Sequence, residues 1–145
     1  MSAPGVGPVT ALAFVAALDE VTRFSSAHQV GSYLGLVPSE YSSGERQHRG
    51  RILRSAHPHV QSLLIQAAWR MSRSSNAKTA ALRAWADAIT HRRGKKVAMV
   101  ALARRLARIL FGMWRDQTEY QSQRVRMVHR SAPASADGMG AAAVR

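Results

Sequence analysis

Residues 41–52 read YSSGERQHRGRI, a Ser-Ser-Gly corner running directly into Arg46, Arg49 and Arg51, with His48 among them and Arg54 just beyond. These residue types can do two things. A serine hydroxyl is a weak nucleophile until a base or a charged environment activates it. Guanidinium groups match phosphate with a flat fork of donors and neutralise it. Together they could hold a phosphodiester and offer Ser43 as the group that attacks it. Ser-Gly is also a plain turn pair, and a basic loop that only binds an anion would look the same. The spacing alone leaves both readings open and identifies a partner, nucleic acid, rather than a reaction.

Two other stretches carry positive charge or phosphate-binding geometry. HRRGKK spans His91–Lys96. Arg92 and Arg93 there suit a helix C-terminus, where cations face the negative end of the dipole. Lys95 and Lys96 would open the next helix, where cations are unfavourable, which points to an external anion. Near the start, PGVGPVTA has the form of a helix-hairpin-helix turn, in which backbone N–H groups at Gly5, Gly7 and the helix start contact phosphate. An ordinary Gly-Pro helix start explains the same residues. No metal site is expected. His57 and His59 flank Pro58 without an acidic ligand nearby, and the eight carboxylates do not cluster as a two-metal nuclease requires. No Gly-rich nucleotide loop ending in Gly-Lys is present.

The whole chain agrees with an anionic partner. Its 145 residues carry a net charge of +13, with 18 Arg against 3 Lys. That excess repels itself on folding and favours a polynucleotide. Hydrophobic residues make up 46%, enough for a core. Cysteine is absent, which excludes disulfides and thiolate metal sites. The apolar run Val9–Leu18 is too short to span a bilayer and lacks a basic leader. A cytoplasmic, nucleoid-associated protein with no membrane partner is expected.

The elements that must position these residues read as helices. Pro8 suits a first helical position, and the helix runs to about Leu18. Ser25 can cap a second helix through Leu34, and Gly35 can end it. Ser39–His57 reads as a long basic loop or a hairpin. Pro58 opens PHVQSLLIQAAWRMSR, with Leu63, Leu64, Ala67, Ala68 and Met71 on one face. A further helix covers 77–93 with Leu82, Trp85 and Ile89 on one stripe, and Gly94 stops it. The last runs over 95–116. Its inward face is expected to be Val97, Val100, Ala101, Leu106, Ile109, Leu110 and Met113, with Arg104, Arg108 and Arg115 pointing away. Residues 129–145 are small and polar, a composition that predicts a disordered tail after one domain over 1–128. The expected fold is mainly α.

Taken in order, PGVGPVTALAFVAAL, YLGLVPSEYSSG, LLIQAAW and RGKKVAMVALARRLARILFGMW resemble one family over residues 4–116. It is the C-terminal transposase domain of the IS-one-ten and IS-eleven-eleven class of bacterial insertion sequences. The resemblance implies a Ser-Gly serine, here Ser43, that attacks a DNA phosphodiester and forms a covalent link. It implies DNA and a guide RNA from the element as partners, and an oligomeric assembly. It also implies an N-terminal nuclease domain with an Asp-Glu-Asp-Asp Mg²⁺ site, which this stretch does not contain. The chain would then be a truncated or split form, paired with that domain or with a full-length transposase, holding no cofactor and inactive alone. Where members read Thr-Gly-Asn-Ser-His, a hydrophobic residue and two arginines, this chain has SAHPHVQS at 55–62: Ala56, His57, Gln61 and Ser62 replace the glycine, the asparagine and both arginines. The competing expectation is a non-catalytic, basic helical nucleic-acid-binding protein in which Ser43 is only a turn.

Overall fold

The computed structural model describes residues 3–36, 38–41, 48–52 and 57–122, with side chains for 3–36 and 57–122. The fold is mainly helical, as expected, with one small hairpin. Among the described residues the α-helices are α1 (Pro8–Leu18), α2 (Ala27–Tyr33), α3 (Pro58–Arg73), α4 (Ala80–Arg93) and α5 (Lys95–Asp116). The strands β1 (Pro38–Tyr41) and β2 (His48–Ile52) pair antiparallel between α2 and α3. The basic segment is therefore a hairpin, one of the two forms its sequence allows. Residues 129–145, the expected tail, lie outside the described residues.

Local chemistry sets the helix ends. Pro8 and Pro58 each sit in the first turn of their helix, where a missing N–H costs nothing. At the end of α2 the Leu36 N–H reaches the Gly31 carbonyl at 3.0 Å, with Gly35 at φ 68°, a left-handed stop. The end of α5 uses the same motif without glycine. Gln117 takes φ 52° and ψ 41°, and the Thr118 N–H donates to the Met113 carbonyl at 3.0 Å. Gly94 joins α4 to α5 at φ 91° and ψ 162°, a region essentially closed to residues with a Cβ. A second helix cap differs from expectation: Ser26, not Ser25, precedes α2 and makes no side-chain cap, while the Ser25 N–H donates to the Gln29 side chain at 3.0 Å.

Helix α5 is the axis of the domain, packed against α2, α3 and α4. Met99, Leu102, Leu106, Leu110 and Phe111 are buried along it, facing Leu64 and Met71 of α3, Leu82 of α4, and Val30 and Leu34 of α2 in one core. The buried face is rotated from the one the periodicity suggests. Leu106, Leu110 and Met113 are inside, but Val97 is 38% exposed, and Val100, Ala101 and Ile109 are only half-buried. Arg104 does not point to solvent either: its stem lies across Gly31, and its guanidinium meets His28 Nδ1 at 3.0 Å. Leu63 of α3 and both Trp85 and Ile89 of α4 are likewise half-buried.

Candidate nucleic-acid interface

The hairpin register pairs Pro38 with Ile52, Glu40 with Arg49, and Tyr41 with His48, with an irregularity between Pro38 and Glu40. His48, Arg49 and Arg51 thus belong to β2, the two arginines two positions apart. Ser43 and Arg46 fall in 42–47, the stretch joining the strands, and Arg54 in 53–56. Those three positions lie outside the described residues.

Both roots of the hairpin are held to the helical body. On the outgoing side Leu36 is fully buried. On the returning side His57 Nε2 lies 2.9 Å from the Tyr33 hydroxyl, and the Gln61 amide donates to the Gly35 carbonyl at 2.8 Å. The Tyr33 ring packs edge-on against Phe24, with Arg23 over both rings. The Arg23 guanidinium also donates to the Leu18 carbonyl at 3.2 Å, just before Asp19, which turns the chain at φ 64° and ψ −66°. These contacts hold the chain to the helical body on either side of the hairpin, at Leu36 and at His57. His57 and Gln61, where the resemblance implies asparagine and arginine, are the residues that make this clamp on the returning side. The sequence reading missed the clamp because its partners lie 24 and 26 residues apart.

The second basic cluster lies elsewhere. Arg92, Arg93, Lys95 and Lys96 are exposed at the α4–α5 junction. Arg92 reaches back to the Ala88 carbonyl at 3.4 Å, in the last turn of its own helix. Lys95 Nζ sits 5.9 Å from the centre of the Trp69 ring on α3. His57 precedes the start of α3, whereas Trp69 is eleven residues along it, about 16 Å at helical rise. The hairpin roots and the lysine cluster therefore sit at opposite ends of α3 and do not form one compact patch.

The glycine turn is a third region. Residues 3–7 form a turn and no helix, so only the turn and the following helix of a helix-hairpin-helix are seen. Gly5 has φ 81°, and a Cβ there would stand 3.1 Å from the Ala67 carbonyl of α3. Close packing accounts for this glycine without a ligand. Gly7 is different: it is extended, it precedes α1 without a side-chain cap, and a Cβ there would meet nothing within 4 Å. Gly5→Ala should therefore cost about 1–3 kcal/mol in stability through backbone strain and the close contact. Gly7→Ala should leave the melting temperature nearly unchanged. Thermal melts followed by circular dichroism check this, and equal melting temperatures for both variants would refute the packing role.

A fourth feature had no sequence signal. Arg105 lies over the Trp85 ring at 4.5 Å, joining α5 to α4. Burial first, and Arg108 second, push its pKa below the usual value. Burial pushes the neighbouring Tyr120 phenol up, and its hydroxyl donates to the Lys78 carbonyl at 3.1 Å. Among the described residues no three His, Asp or Glu side chains gather to hold a metal ion. No described helix is long and apolar enough to cross a membrane.

The described residues define a small helical domain with one basic hairpin between α2 and α3. The family model for the transposase IS116/IS110/IS902 family matches residues 1–84, and the chain belongs to that family. Among its relatives, a Pseudomonas aeruginosa protein named "Probable family 20 transposase" is 33% identical over 121 residues, which is 83% of this chain and 36% of that protein. The transposase for insertion sequence element IS1111A of Coxiella burnetii is 33% identical over 83% of this chain and 33% of its own length. An IS110 protein of Streptomyces coelicolor is 32% identical over 84% of this chain and 29% of its own length. The chain thus spans about a third of the length of the curated relatives it matches. No solved structure gives a significant match.

Proposed function

We propose that this chain is the DNA-binding and strand-transfer part of an insertion-sequence transposase, with Ser43 as its nucleophile. The observation that carries the reading is the clamped hairpin: β2 holds His48, Arg49 and Arg51, and the stretch joining the strands contains Ser43 and Arg46. In the proposed step a bond forms between the Ser43 oxygen and the phosphorus, and one P–O bond to a sugar oxygen breaks. The serine proton leaves to solvent or a base, and the departing sugar oxygen takes up a proton. Arginines beside the phosphate lower the cost of bringing an alkoxide to a phosphodiester. The phosphate-binding set is Arg46, His48, Arg49, Arg51 and Arg54, with Arg92, Arg93, Lys95 and Lys96 contacting a more distant part of the nucleic acid and Gly7, beside Gly5, adding backbone N–H groups. Mg²⁺ belongs with a separate nuclease domain, which together with a guide RNA and further copies of the chain would complete the assembly in the cytoplasm.

The binding part is tested by salt dependence. Each phosphate neutralised on duplex DNA contributes about 0.9 to the slope of log affinity against log salt. Replacing Arg46, Arg49 and Arg51 together with Ala should lower the slope by about 2–3. Fluorescence anisotropy with labelled duplex at several salt concentrations measures it, and an unchanged slope removes the hairpin from the binding surface.

A further inference from the structure

An open groove of about 910 Å³ runs along α5, lined also by α4 from Trp85 to Arg93, by Ala27 and His28 of α2 with Leu36 beyond it, and by residues 118–121, which follow α5. Its wall on α5 extends from Lys96 to Asp116, about 30 Å of helix. The floor is aliphatic: Ile89, Val97, Val100, Ala101 and Ile109. Val97, Val100, Ala101 and Ile109 are α5 positions, and Ile89 an α4 position, that the periodicity assigns to a buried stripe and the fold leaves exposed or only half-buried. Six cations, among them Arg93, Lys96 and Arg108, border the groove against two carboxylates, Asp116 and Glu119. Asp116 is already paired with Arg115 at 2.9 Å.

The shape and chemistry select the occupant. A groove one long helix in length, apolar at the bottom and charged at the edge, fits an amphipathic helix. The positive rim requires acidic flanks on that helix. Nucleic acid fits less well. Its lowest part is branched aliphatic, Val97, Val100, Ala101 and Ile109, on which bases stack poorly, and the Arg105 guanidinium already covers the Trp85 ring. The chain's own residues 123–145 carry four arginines against Asp137, so they do not bring the carboxylates that the rim calls for. We propose that the α4–α5 groove is a docking site for an acidic amphipathic helix of a partner polypeptide. The site goes beyond the hairpin reading and stands if that reading fails.

The full chain is the test object. The probe is a synthetic peptide of about 18 residues with leucines at i, i+3, i+4 and i+7 spacing and glutamates on the other positions. A scrambled peptide of the same composition and a single-stranded oligonucleotide are the comparisons. Anisotropy should show the ordered peptide binding at least about tenfold tighter than the scramble, a difference of about 1.4 kcal/mol. Val97→Glu with Arg108→Glu, both exposed positions, should weaken the peptide at least about tenfold while the circular dichroism melt is retained. This pair leaves the hairpin and residues 91–96 untouched, so duplex binding through the hairpin should persist. Equal binding of both peptides would reduce the groove to general charge attraction and overturn the proposal. Displacement of the peptide by the oligonucleotide, with the double variant weakening both alike, would assign the groove to nucleic acid instead.

Discussion

Ser43→Ala is expected to abolish a covalent protein–DNA adduct while leaving DNA affinity within about twofold of the parent. The adduct needs one oxygen, and nothing else at that position can replace it. Affinity comes from many arginine–phosphate contacts, beside which one hydroxyl contributes little. The experiment supplies the proposed nuclease domain in trans, with the proposed guide RNA and the DNA ends, and looks for labelled DNA that stays with the protein through denaturing electrophoresis. Ser42→Ala should retain the adduct. An adduct that survives Ser43→Ala and vanishes with Ser42→Ala would place the nucleophile one residue earlier. An adduct absent from the unmutated chain would count against the proposed catalysis while leaving the salt-slope result intact. Restoring glycine, asparagine and the two arginines at Ala56, His57, Gln61 and Ser62 would then separate a lost reaction from an incorrect assignment. In that variant the Tyr33–His57 and Gln61–Gly35 contacts are also lost, so its melting temperature must be read beside its activity.

Leu106→Ala should have the largest effect on stability. Leu106 is fully buried in the middle of α5, the helix that contacts α2, α3 and α4. Truncation removes the transfer energy of the lost methyl groups and leaves a cavity that rigid neighbours cannot fill, together about 2–5 kcal/mol. For a domain of this size the midpoint should fall by about 10 °C or more. Isolated helices of 7–22 residues are marginal in water, so loosening the central helix should weaken the others with it. Leu12→Ala in α1 is the matched control. Leu12 is 72% exposed, and its loss should change stability by less than about 0.5 kcal/mol. Thermal melts of the two variants measure both values. A comparable loss at Leu12 would mean that the outer face of α1 is covered in solution.

Much of this protein is written locally. Pro58 and the run to Arg73 define α3 to the residue, and Gly94 separates α4 from α5 where the sequence places the break. Such signals are legible because proline, glycine and the helical period act within a few residues of themselves. The resemblance carried by YLGLVPSEYSSG and its companions points to the same family as the family model. Tertiary structure decided the rest. Apolar residues cover so much of α5 that periodicity cannot say which stripe meets α2, α3 and α4. Only packing shows that Met99 and Leu102 go inside while Val97 and Val100 border a groove. Gly5 reads as a phosphate turn until α3 arrives and places the Ala67 carbonyl where a Cβ would be. Arg104 reads as a solvent charge until α2 offers Gly31 and His28. The Tyr33–His57 clamp forms only when the chain closes the hairpin between its two partners. Each of these depends on surfaces brought together from distant parts of the chain. Local propensity fixes where helices begin and end, but the burial of apolar area that chooses their faces is a property of the assembled core.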